Sequence, residues 1–295
     1  TYALWSISRH SYIAAAVPMD VRGRALALFG GLSRIATILG PLIGGILAEF
    51  VGIRVPFFAQ ATVAIFTLLM ILVTAKNMVE PQQTGMRRNV FKELGNVIST
   101  HRSDFATAGV AAIALQFLRS GREFLIPVWG EEIGLGKDQI GYIATISFAI
   151  DSMMFPLVGY SMDRWGRKST GIPAFLVLGM AIALIPQTGT FGALLAVGLL
   201  AGLGNGLSSG FVLITGTDLS PKNNPGGFLG VWRFISDTGG ASGPVAIGGL
   251  AQIVTLGVAS LATAGIGAFG AFMLIFIVKE TMTRTPKRVT TSRPK

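Results

Sequence analysis

Charged side chains set inside long apolar runs are the residues of this sequence that could do chemistry. Arg34, Arg119, Arg122, Glu123, Asp151, Arg233 and Asp237 all stand in such runs. An ionised group there is costly and marks a substrate path, a proton relay or a buried ion pair. Arg233 and Asp237 lie four residues apart on one helix face, close enough to pair, and Arg119 and Glu123 share that spacing. An acid near the membrane midplane whose basic partner can move away is able to bind and release a proton. Asp237 and Asp151 are therefore the candidates for proton coupling, with a permanently paired carboxylate as the competing reading. Cysteine is absent, His10 and His101 are far apart, and no Gly-rich loop followed by Lys-Ser/Thr occurs. Thiol catalysis and Cys-ligated metal are excluded, ATP-driven transport lacks a nucleotide site, and no enzyme, cofactor or metal centre is expected.

The elements that must position these residues read as membrane helices. The 295 residues are 51% hydrophobic and 13% charged, with a mean hydropathy of +0.62, against about 25% charge in a soluble domain. Nine apolar segments can be counted, at 1–17, 25–48, 55–75, 105–129, 139–161, 171–188, 191–213, 227–251 and 255–278. All read as helices, because backbone polar groups in lipid must be satisfied within the segment or in a closed barrel. A barrel would need short alternating strands, which these runs do not offer. The fold class is all-α and polytopic.

Loop charge gives the orientation. The connections at 18–24, 76–104 and 159–170 are basic, and the tail from Lys279 is too, whereas 130–138 is acidic. Every second loop is the basic one, so these and 214–226 are expected in the cytoplasm, with the C-terminus. The net charge of +10 follows from that topology and does not point to nucleic acid. Residues 76–104 form the only long polar connection, with a linker composition at 81–85 and a short amphipathic helix expected from Val90 to Ile98. An internal repeat supports a division there. Setting Pro41 against Pro244 aligns Gly40-Pro41-Leu42-Ile43-Gly44-Gly45 with Gly243-Pro244-Val245-Ala246-Ile247-Gly248, and matches Ser33 with Ser236. Parallel repeats of six helices are a transporter layout. The expected organisation is residues 1–75 as part of an N-terminal bundle, 76–104 as linker, 105–279 as a six-helix bundle and 280–295 as a basic tail. On this reading the chain, which starts at Thr1, is a fragment with about three helices upstream.

The turn Gly159-x-x-x-Asp163-Arg164-x-Gly166-Arg167-Lys168 resembles the signature loop of the major facilitator superfamily. The Gly-Pro-x-x-Gly-Gly element resembles the fifth-helix motif of that family's antiporters. Arg9 is followed by His10-Ser11-Tyr12-Ile13, a departure from the Arg-x-x-Gln-Gly usual in the fourth helix of its drug antiporters. The resemblance covers the whole chain and makes its segments helices four to twelve. It implies that Asp163, with Arg164 and Gly166, latches the cytoplasmic side. Asp163 would face the start of the fifth helix near Gly23 to Leu26, and Arg167 would reach Asp218. It also implies that the fifth helix packs on the eighth, where Arg34 and Asp151, at equal depth of ~15 Å, would meet. Arg9, Arg119, Arg122, Glu123 and Asn205 would line a central cavity.

The function expected is secondary active transport by alternating access, as proton-coupled export of a small organic molecule or drug. Uptake or facilitated transport of an organic anion is the alternative, because Arg9, Arg119, Arg122 and Arg233 outnumber the buried acids. A membrane sensor or assembly partner on the same fold is a third reading. The expected partners are a small-molecule substrate, protons and membrane lipid, for a monomer in a bacterial inner membrane.

Overall fold

A computed structural model describes residues 19–74, 90–222 and 225–282. Among the described residues the chain is helical, with no strand. The long helices are α1 (Met19–Phe50), α2 (Val55–Thr74), α4 (Val110–Glu132), α5 (Lys137–Trp165), α6 (Lys168–Leu184), α7 (Phe191–Leu207), α9 (Pro225–Ile253) and α10 (Leu256–Phe272). Two shorter ones are α3 (Val90–Thr100) and α8 (Phe211–Leu219), with a one-turn helix at Arg102–Asp104, a 3-10 turn at Ile185–Gln187 and π-helical turns at Phe105–Gly109 and Met273–Ile277. Among the described residues, six helical stretches are long and apolar enough to cross a membrane. The two long helices outside that group, α4 and α9, carry Arg119, Arg122 and Glu123, and Arg233 and Asp237, respectively. The same charges that lower their hydropathy are the candidate functional groups.

Glycine decides where helices touch. A Cβ on Gly45 of α1 would stand 2.6 Å from the Lys137 carbonyl, and one on Gly141 of α5 would stand 2.5 Å from the Pro41 carbonyl. Only glycine at these positions lets the two backbones close this far. In the repeat-related helix α9 the close approach moves to Gly239 and Gly243, which sit against Ile113, Phe117 and Ser120 of α4. Gly40 and Gly44 meet nothing within 4 Å. The matching motifs thus pack α1 on α5 and α9 on α4, through different glycines.

The core lies among α4, α6, α7 and α10, where Leu115, Leu118, Phe175, Leu178 and Ile182 are fully buried. By contrast α2, apolar along its whole length, buries no residue. The helix expected at 90–98 is α3. Its Leu94 and Val97 pack on the core rather than on a bilayer surface, and His101 meets Phe228 edge-on at 5.0 Å. The expected linker therefore ends in structure from Val90 onward.

The segment read as 191–213 followed by a polar loop is longer than expected. The chain breaks only at Gly210, with φ of +78°, and α8 then continues to Leu219. Thr217 and Asp218 are consequently helical, although their polarity reads as loop.

Candidate functional site

Three glycines of α7 place the central polar cluster. Gly202 rests on Ser147 of α5, Gly204 on Leu178 of α6, and Gly206 on Met154 and the Asp151 carbonyl. These approaches bring Asn205, almost fully buried, between two helices that carry opposite charge. The Arg119 Nε–H of α4 donates to Asn205 Oδ1 at 2.9 Å, and Asn205 Nδ2 donates to Asp151 Oδ2 at 2.6 Å. A guanidinium only donates and a carboxylate only accepts, so the amide orientation is fixed by its neighbours. Ser209 Oγ donates to the other Asp151 oxygen at 3.3 Å, and Arg119 also donates to Gln116 at 3.3 Å. Asn205 is the neutral bridge that joins Arg119 to Asp151 without a direct ion pair.

The expected meeting of Arg34 and Asp151 is not what the structure places there. Asp151 turns to α7 and the turn that follows it, where Asn205 and Ser209 satisfy it. Arg34 instead stacks over the ring of Phe155, one turn further along α5, at 4.2 Å from the centroid. With the carboxylate already hydrogen-bonded on the other side, the aromatic face is the partner left to the guanidinium.

A cavity of about 850 Å³ lies beside this cluster. Gln116, Arg119 and Glu123 line it from α4, Phe155 from α5, and Arg233 and Asp237 from α9. Arg233 Nε donates to Asp237 Oδ2 at 2.8 Å across one helical turn, and both side chains are open to the cavity. Arg122 departs from the expectation that it lines this space. It is only 2% exposed and points between α5 and α7, with Nη1 donating to Ser147 Oγ at 3.3 Å and to the Ala201 carbonyl at 3.4 Å. Arg122 precedes Glu123 by one residue, about 100° around the helix, and so falls off the edge of the stripe of Gln116, Arg119, Ser120 and Glu123 that lines the cavity. Arg9 lies outside the described residues.

At one end of the bundle, the basic turn joins four helix ends. Gly166, with φ of +95°, ends α5 and lets α6 begin at Lys168. Arg167 is a fork. Its Nε donates to Asp218 at 2.9 Å, and its Nη1 donates to Asp163 and to the Met162 carbonyl, each at 3.0 Å. The hydrogen bond to Asp218 raises the guanidinium above its ordinary value against the pull of burial, and Asp163 adds to it. Asp163 is 78% exposed and belongs to the last turn of α5 rather than to a loop. The side chains near Gly23 to Leu26 that it was expected to face lie outside the described residues. Arg164 turns away, to the ring and hydroxyl of Tyr160.

Two carboxylates went unnoticed in the sequence. Glu280, beyond the last helix, accepts from the backbone N–H of Arg167 at 2.8 Å and of Lys168 at 3.1 Å, at the N-terminus of α6. A Cβ at position 166 would stand 2.6 Å from its Oε2, a second reason for glycine there. Burial pushes the Glu280 carboxyl up, but backbone N–H donors at Arg167, Lys168, Met282 and Thr281 outweigh it and hold it below its ordinary value. At the opposite end, Glu49 of α1 accepts from the Lys137 N–H that opens α5, at 2.9 Å. Both acids stand where helix ends leave N–H groups unpaired. The sequence does signal each as an acid just past an apolar run, but not which helix it meets.

The family model described as Major Facilitator Superfamily matches residues 2–129 and 108–294. An uncharacterized MFS-type transporter of Methanocaldococcus jannaschii is 21% identical over 254 residues, 85% of this chain and 64% of that protein. The synaptic vesicular amine transporter of Bos taurus is 26% identical over 246 residues, 80% of this chain and 45% of its own. The multidrug resistance protein MdtG of a Rahnella species is 30% identical over 194 residues, 60% of this chain and 45% of its own. The chain thus spans between 45% and 64% of the length of these relatives.

Proposed function

The chain belongs to the Major Facilitator Superfamily, and from that premise we propose that it works as a proton-coupled secondary transporter that exports a small organic molecule by alternating access. The observation that carries this reading is the central cavity, in which Arg233 and Asp237 form an ion pair that both substrate and water can reach. A carboxylate paired across 2.8 Å to a movable arginine can release that partner on protonation and recover it on deprotonation. This coupling turns a proton gradient into a change of shape. The relatives add support of their own kind: one is named for multidrug resistance and another for amine transport. The protein sits in the membrane by its family and its apolar helices. We place it in a bacterial inner membrane with the basic turn and C-terminus in the cytoplasm.

Reconstitution into proteoliposomes tests the proposal. Substrate flux should follow an imposed pH gradient, and Asp237→Asn should uncouple it while leaving binding intact. Flux that ignores the gradient would sink proton coupling. A second reading, transport of an organic anion, is favoured by Arg119, which among the described residues is held by two neutral amides and by no carboxylate directly.

A further inference from the structure

Arg34 lies midway along α1, and among the described residues it has neither a hydrogen bond nor a carboxylate within 4 Å. Its guanidinium carbon instead stands 4.2 Å above the centre of the Phe155 ring on α5. Phe155 is 49% exposed and forms part of the wall of the central cavity, whereas Arg34 does not line that cavity. The ring thus separates a positive charge within the apolar span from the space where a substrate would sit.

Among the described residues two aromatic side chains line the cavity, Phe155 and Trp232. Trp232 is already engaged. It is only 2% exposed, it stacks on Phe228 at 6.2 Å, and its Nε1–H donates to the Val212 carbonyl at 2.8 Å. Phe155 pairs with no other ring among the described residues, so its face is the one left to a planar guest. The charges that line the same space balance, with Arg119 and Arg233 against Glu123 and Asp237.

The face of an aromatic ring is negative and ordinarily attracts a cation. Arg34 takes that attraction from one side. A cation stacked on the other side would stand roughly 8–10 Å from the guanidinium, and in a wall poor in water the repulsion cancels what the ring offers. A guest ring without positive charge meets no such repulsion and keeps the gain of offset stacking.

We propose that Phe155, backed by Arg34, is the aromatic platform of the central cavity, and that the substrate it selects is a planar aromatic molecule with no positive charge on its ring. Arg34 and Phe155 come from opposite sides of the division at 76–104, so the platform is complete only while α1 lies on α5. This inference rests on the transporter reading above and names its substrate class.

Equilibrium binding of three probes to the purified protein in one detergent tests it. They are β-naphthol, its saturated counterpart decahydro-β-naphthol, and the ring cation N-methylquinolinium. β-Naphthol should bind about three- to tenfold tighter than the saturated alcohol, and Phe155→Leu should erase that preference. N-methylquinolinium should bind no tighter than the saturated alcohol. Arg34→Met keeps the side chain long but removes its charge, and should raise N-methylquinolinium affinity relative to β-naphthol by about three- to tenfold. Arg34→Lys keeps the charge and should retain the parental ratio. Each arm compares two probes on the same protein, so a loss of folded material leaves the ratio unchanged, and a pair that serves packing alone would move none of these ratios. Equal binding of β-naphthol and the saturated alcohol, a preference that survives in Phe155→Leu, or a ratio that ignores Arg34→Met overturns the proposal. The two readings fail separately. Gradient-driven flux without the aromatic preference removes the platform and keeps the transporter. The aromatic preference without gradient-driven flux keeps the platform and removes the coupling.

Discussion

The carboxylate of Glu49, at the end of α1, accepts the backbone N–H of Lys137, the first residue of α5, at 2.9 Å. A negative group here meets the unpaired N–H groups and the positive end of a long helix. On the proposed division of the chain at 76–104 the two helices belong to different halves, so this contact would hold the halves together at the end opposite the basic turn. An exposed carboxylate at a helix N-terminus is worth about 0.3–1 kcal/mol. Glu49→Gln should therefore shift the population open at that end by roughly two- to fivefold. Spin labels placed on α1 and α5 would report the change as a longer distance; an unchanged distribution would reduce Glu49 to a local cap.

Asn205 joins two charges that would each be costly alone. Asn205→Leu keeps the volume but removes both hydrogen bonds, leaving Arg119 and Asp151 facing an apolar side chain. The loss of one partner from a buried polar group costs about 1–3 kcal/mol, more where the group is charged. Thermal unfolding in detergent should drop accordingly, while Asn205→Gln should recover part of the loss. No change in stability would mean that water replaces the amide.

Asp163 and Asp218 share Arg167 unequally, since Asp163 is the more exposed of the two. Asp163→Asn should leave folding within about 0.5 kcal/mol of the parent. If Asp163 also reaches the other half, the variant will raise the accessibility of a cysteine introduced into the basic end of the cavity. Arg167→Ala should be worse on both counts, because it strips Asp218 of its main partner. Equal accessibility in Asp163→Asn and the parent would leave Asp163 with a role in topology alone.

Opposite charges one helical turn apart, or joined by the family motif, were legible in the sequence; contacts to backbone, to aromatic faces and through a neutral amide were not. The spacing of Arg233 and Asp237 on one turn gives their pairing directly, and the structure places them at 2.8 Å. The family resemblance joins Arg167 to Asp218, and the structure places them at 2.9 Å. Glu49 and Glu280 escaped notice because their partners are amide groups at helix ends, which no residue type marks. Arg34 went to Phe155 because Asp151 had a better option in Asn205, and that competition depends on how close α7 lies. The closeness in turn depends on Gly202 and Gly206, which sequence marks only as packing residues. Arg122 shows the same limit: an arginine in an apolar run declares itself, but the helix face that buries it is set by rotation against neighbours.

Glu280 should make the basic end sensitive to acid. Its carboxyl lies below its ordinary value of 4.5 in the folded protein, with burial opposed and outweighed by backbone N–H donors at Arg167, Lys168, Met282 and Thr281. A carboxyl depressed in this way adds stability above the unfolded value, and that stability is lost as pH falls through the folded value. The loss should therefore begin as pH drops below about 4.5 and be nearly absent at neutral pH. Glu280→Gln still offers an oxygen to the α6 N-terminus but has no charge to lose. Its stability should be lower than the parent at pH 7 and converge on it as pH falls through the folded value. Thermal melts across this range provide the measurement, and parallel curves for parent and variant would show that the tail carboxylate does not cap α6 in solution.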